Sequence, residues 1–124
     1  GLKFIKDISF DIFNYTLEEK NKIILDNIVD LLEKNPEIKL EVNGYASCNL
    51  SEDDANSVSV ERAKSVVFYL TGKGIHFERI KAAAWGREVN VAKCACELEK
   101  KSDKPCTKND HLKNSRVNFK FTGI

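Results

Sequence analysis

The sequence predicts an α+β fold of two layers, a mixed sheet reached in the order β-α-β-α-β-(loop)-β with the helices on one face. Three observations carry that prediction: short stretches in which apolar residues alternate singly, two longer stretches in which they recur at helical spacing, and Pro or Gly between them. Ile8, Phe10 and Ile12 alternate with Ser9 and Asp11, the period of a strand with one buried face, and Phe4 extends it backwards. Thr16 followed by Glu19 reads as a capping box, so the first helix starts there. Ile24, Leu25, Ile28, Leu31 and Leu32 then form one apolar face until Asn35-Pro36 stops the helix. Ile38, Leu40 and Val42 give a second strand ending at Gly44. A polar stretch from Ser47 to Ser57, read as a connection, leads into Ala63, Val66, Val67 and Leu70, a second helix stopped by Gly72 and Gly74. Arg79 to Trp85 forms a third strand, whose alanines Ala82, Ala83 and Ala84 imply a helix packed closely over it. Val117, Phe119 and Phe121 alternate in a last strand. Between these two lies an irregular region, Gly86 to Asn114, with room for one short helix.

At 124 residues the chain suits one domain, residues 1–124, with a single core. A composition 42% hydrophobic and 31% charged excludes collagen-like and disordered chains. Twenty basic against nineteen acidic residues leave a charge of +1, so there is no global field to attract nucleic acid or an anionic membrane. No apolar run approaches the roughly 20 residues that span a bilayer. A chain opening at Gly1 reads as a piece of a longer protein, so the lack of a leader carries no information about export.

No nucleophile elbow, zinc-protease helix or phosphate loop is present, and the only histidines are His76 and His111. An enzyme is not expected, and His76, in a loop after the second helix, is assigned no role. Four cysteines, Cys48, Cys94, Cys96 and Cys106, point to an oxidising, extracytoplasmic compartment. Of the three connectivities, pairing Cys94 with Cys96 across one residue is disfavoured; the other two remain open. Cys94, Cys96, Cys106 and His111 also offer four zinc ligands, but structural zinc favours Cys-x2-Cys pairs, so disulfides are preferred and no metal or cofactor is expected.

The most informative stretch is Gly44-Tyr45-Ala46-Ser47, then a polar connection, then Val58-Ser59-Val60-Glu61-Arg62-Ala63. It resembles the peptidoglycan-binding C-terminal domain of the OmpA family, shared with the peptidoglycan-associated lipoprotein and the flagellar stator, whose pattern is G-[HY]-[TA]-D and later N-x-x-L-S-x-x-R-A. Phe10-Asp11 with Thr16-Leu17, Asn35-Pro36, Gly72-Lys73-Gly74-Ile75 and Asn114-Ser115-Arg116-Val117 are similar to further family positions, so the resemblance covers nearly the whole chain. It departs at Ser47, where the family has Asp, at Asn56, one residue out of register, and at Ser115, which replaces the first Arg of N-R-R-V. Some members, as in the Bacteroidetes, are similar in reading G-[HY]-A-S.

The resemblance implies noncovalent binding of diaminopimelate in the peptidoglycan stem peptide, with an Asp on the amine and an Arg on a carboxylate. Arg62 matches that Arg, and its planar fork suits a carboxylate. Ser47 can accept from an amine but cannot neutralise it, so Glu52, Asp53, Asp54 or Asp11 is expected to supply the charge. Backbone contacts map to Phe13, Asn14 and Ala46. The resemblance also implies a bridge between Cys96 and Cys106, which leaves Cys48 to Cys94. The implied role is that of a periplasmic domain anchoring an outer-membrane protein or envelope complex to the wall, with other envelope proteins as further partners. The alternative is a degenerate family member serving as an interaction or structural module without peptidoglycan binding. An RNA-binding sandwich fares worse, since no basic face accompanies the aromatics.

Overall fold

In a computed structural model of the chain, residues 5–88 and 106–123 are described. The described elements run β1 (Ile8–Ser9), α1 (Glu19–Lys34), β2 (Lys39–Gly44), α2 (Glu52–Gly72), a 3-10 turn (Phe77–Arg79), β3 (Ile80–Ala84), α3 (Lys108–Asn114) and β4 (Arg116–Thr122). They build a mixed sheet of order β1-β4-β2-β3, in which β2 and β3 are parallel and the other pairs antiparallel. The parallel pair is joined through α2, as a parallel connection needs a crossover of that length. Leu40, Val42 and Gly44 face the helices, in register with Ile80, Ala82 and Ala84 on one side and Phe121, Phe119 and Val117 on the other.

Alternation on the sheet meets the helical period in one core: Ile8, Leu40, Val42 and Val117 pack with Leu25, Ile28 and Leu32 of α1 and Ala63, Val66 and Leu70 of α2. Each fully buried Leu, Ile or Val contributes about 1.5–3 kcal/mol. Arg79 donates to the carbonyls of Leu32, Asn35 and Ile38, satisfying the end of α1. The position of α2 is set by Gly44, where a Cβ would overlap the Ser59 carbonyl, so only glycine lets the helix lie this close to the end of β2. One helical turn beyond Ser59 stands Arg62.

Four local expectations change. The first strand keeps only Ile8–Ser9, and although the Phe10 N–H still reaches the Ser115 carbonyl, the Asn14 N–H closes a turn onto the Asp11 carbonyl. Phe4 lies outside the described residues. The first helix is capped by Glu18 with Asn21, not Thr16 with Glu19, because the Thr16 N–H is already held by Asn14 Oδ1. Glu52, Asp53 and Asp54 are not loop acids but the first turn of α2, which starts at Ser51, whose hydroxyl accepts from the Asp54 N–H. The alanines of β3 are not closely covered: Ala82 and Ala84 are exposed, since α2 is drawn over Gly44 and leaves the neighbouring strand partly open.

Candidate functional site

The buried face of α2 reads Ala55, Ser59, Arg62, Ala63, Val66 and Leu70, so helical spacing carries Arg62 into the protein. Its exposure is 0%. The fork that the resemblance offers to a ligand carboxylate is instead spent on the protein's own carbonyls: Nε donates to the Asn14 carbonyl, Nη1 to that of Tyr45, and Nη2 to those of Asp11 and Ile12, each at 2.9 Å. The turn after β1 points three carbonyls at one fork, and the end of β2 supplies the fourth. One Nη1 N–H remains beyond these bonds, and the group lies over the Phe10 ring at 5.3 Å. Burial pushes its pKa down to about 10, which leaves it cationic at neutral pH. Among the described residues no carboxylate lies within ion-pair distance of it.

Ser47, in the family's Asp position, is fully buried. Its Oγ lies 2.6 Å from His111 Nδ1 and takes a long bond of 3.5 Å from Asn114 Nδ2. The sequence offers His111 only as a zinc ligand and Asn114 only as the start of Asn114-Ser115-Arg116-Val117, and places neither beside Ser47. They come from α3, 64 and 67 positions along the chain, and no local pattern announces their contact with Ser47. Thr107 and Asp110 cap that helix reciprocally, and the Thr107 N–H holds the Asp110 carboxyl below its ordinary pKa.

The acids named for the place of the missing carboxylate lie at the surface. Asp53, with Glu52 and Asp54, is exposed at the start of α2, and Asp11 offers Arg62 its carbonyl while its side chain is exposed. Ala46 is buried with its N–H on the Gly86 carbonyl, so that donor is already used. Asn56 is exposed and borders Gly86, which has a φ of 58° and donates its N–H to Ser59 Oγ. Phe13 is 72% exposed beside the carbonyl turn, and Asn14 closes that turn. Arg116 stacks on the Tyr45 ring at 4.0 Å and accepts the Tyr45 N–H on its own carbonyl, steadying the residue that holds Arg62.

The Cys48 and Cys106 sulfurs are 3.9 Å apart, too far to be bonded to each other. Cys94 and Cys96 lie outside the described residues, and so do the expected bridges Cys96–Cys106 and Cys48–Cys94. Cys48, Cys106 and His111 bring ligand atoms within 4.8 Å of one another, yet neither cysteine is a free thiol and the imidazole is engaged by Ser47, so the group does not suit a metal ion.

Two clefts are described nearby. One of about 240 Å³ lies between Ser9–Asp11 and the α3 residues Asn109, Leu112 and Lys113. The other, about 320 Å³ and mostly apolar, lies between α2 and β3 and is lined by Val60, Val67, Phe68 and Ala82. No described helix is long and apolar enough to cross a membrane.

A two-layer domain with strand order β1-β4-β2-β3, gathering the ends of β1 and β2 around one buried cation at the second helix, defines a class of α+β domain, the OmpA-like one. The chain belongs to the OmpA family, whose model matches residues 9–104. The fold is similar to that of the peptidoglycan-associated lipoprotein from Burkholderia pseudomallei, with TM-score 0.81 and 16% identity over 94% of this chain and 89% of that one. It is also similar to the C-terminal domain of Helicobacter pylori MotB, with TM-score 0.79 and 16% identity over 95% and 84%. The OmpA-like domain of FopA1 from Francisella tularensis gives TM-score 0.75 and 20% identity over 94% and 71%.

Proposed function

We propose that this domain binds the peptidoglycan stem peptide noncovalently, at its diaminopimelate residue, and so anchors an outer-membrane protein or envelope complex to the wall from the periplasm. The observation that carries this reading is the Arg62 cation, fixed at neutral pH and left without a described carboxylate partner in a chain of the OmpA family. Carbonyl dipoles hold that charge but do not cancel it, and although the guanidinium itself is buried, its field favours an anionic group docking on the partly exposed turn from Asp11 to Asn14 that covers it. Two names among the similar structures support the direction: one is a peptidoglycan-associated lipoprotein, and another is a periplasmic domain of MotB. The domain acts as a binding module and not as a catalyst, and the bridges Cys96–Cys106 and Cys48–Cys94 belong to the same proposal. Calorimetric titration with a diaminopimelate-containing muropeptide tests it. A saturable heat is expected, with amide shifts at Asn14, Tyr45 to Ser47 and His111; no heat at millimolar ligand refutes the reading.

The apolar cleft between α2 and β3, beside a Phe68 that is 71% exposed, favours a second reading as a protein-interaction module within the envelope. In that case a muropeptide leaves the spectrum unchanged, and binding to an envelope protein shifts the resonances of Val60, Phe68 and Ala82.

A further inference from the structure

We infer that the domain pairs with a second copy of itself through the outer edge of β3, whatever ligand it binds. β3 ends the described sheet, with β2 on its inner side. The Trp85 N–H bonds the Gly44 carbonyl of β2, so by the alternation of a strand Lys81 and Ala83 also turn inward, and Ala82 and Ala84 turn their N–H and C=O groups out. Among the described residues nothing takes those groups. Neither proline nor bulge blunts this edge, the usual devices that keep an outer strand unpaired. The helix layer is also open above it: because α2 is drawn over Gly44, Ala82 and Ala84 stay exposed, and a cleft of about 320 Å³ separates them from Val60, Val67 and a Phe68 that is 71% exposed.

A second copy is the occupant because the edge complements itself. Ile80 has spent its N–H on the Phe77 carbonyl, so an antiparallel two-fold pairing loses no bond when it is centred on Ala83. Ala82 of each copy then stands opposite Ala84 of the other, and every outward N–H of these alanines meets a carbonyl. The same register sets Lys81 opposite Trp85, whose ring is 44% exposed and bonds Asn43 Oδ1 at 3.1 Å on the sheet face away from the helices. Each cation thus meets an aromatic ring, and the two lysines stay at opposite ends of the seam. The two-fold axis is perpendicular to the sheet, so both helix layers share one side. The two clefts become one trough over the alanines, filled by the paired Phe68 rings. A seam of 5-residue strands is small, below about 1,200 Å² in total, so the dimer is a weak one.

The test is sedimentation equilibrium of the chain from micromolar to millimolar concentration, with amide exchange followed by nuclear magnetic resonance. A monomer–dimer equilibrium is expected, with the Ala82 and Ala84 amides protected as the dimer forms. Phe68→Lys, which puts cations into the trough, and Ala84→Pro, which removes one outward N–H, should each weaken it about tenfold or more while circular dichroism shows the fold kept. A chain that stays monomeric at millimolar concentration overturns the inference. So does a dimer indifferent to both variants, since it uses another surface. Protection of Ala82 and Ala84 that arises only on adding another envelope protein assigns the edge to that partner and overturns self-pairing.

Discussion

Replacing Arg62 by alanine removes a fork that ties the turn after β1 to the end of β2, and its cost follows from the bonds. Hydrogen bonds from a charged donor contribute about 1.5–3 kcal/mol each, so the four carbonyl bonds represent roughly 6–12 kcal/mol gross. Burying the charge opposes this. A pKa lowered from 12.5 to about 10 corresponds to about 3 kcal/mol at roughly 1.4 kcal/mol per unit. Water entering the vacated space recovers part of the carbonyl loss, so the expected net destabilisation is at least about 3 kcal/mol. For a chain of this size that lowers the melting temperature by about 10 °C or more. Arg62→Lys should recover little, because a single ammonium cannot serve carbonyls spread around a planar fork. Thermal unfolding followed by circular dichroism reads the effect. A variant melting within about 2 °C of the parent refutes the claim that this guanidinium holds the two loops together.

Gly44→Ala places a methyl against the Ser59 carbonyl and should destabilise by about 1–3 kcal/mol in urea unfolding, with shifts concentrated in α2; an unchanged midpoint counts against the close approach. Burial raises the Asp7 pKa above 3.8, with Arg116 opposing. The native state therefore holds this proton where the unfolded chain releases it, and the group's contribution to stability falls as pH rises from 3.8 through the raised value. Asp7→Asn should flatten that part of the stability profile and leave the melting temperature at pH 7 unchanged or slightly higher. The Tyr69 phenol donates to Asp26 at 2.6 Å, and that bond with burial pushes its pKa up to about 12. Ultraviolet titration should show one of the three tyrosines ionising late, and Asp26→Asn should bring it back towards 10.0.

Much of the site was written locally. Arg62 stands in helical step with Ala55, Ser59, Val66 and Leu70, so its inward direction could be read from the same spacing that placed the helix. Its motif points to ligand binding, whereas the periodicity of the same helix turns it inward. The cap of α2 is local too, since Ser51 and Asp54 have the spacing of an N-terminal cap, although the polarity of the stretch suggests a connection. Thr16 shows the opposite case: a good cap by spacing lost to Asn14, whose side chain took the same N–H for the turn.

The sequence by itself determined the order of strands and helices and where most of them lie, because these depend on periods encoded within a few residues, whereas the close approach of α2 to Gly44 is a tertiary contact with Ser59. Only the tertiary structure decided that the carbonyls of Asp11, Ile12, Asn14 and Tyr45 converge on Arg62, that His111 fills the place beside Ser47, and that the β3 alanines stay open. Those outcomes depend on how whole elements pack across 17 to 64 positions of chain, where no local pattern specifies which groups will meet.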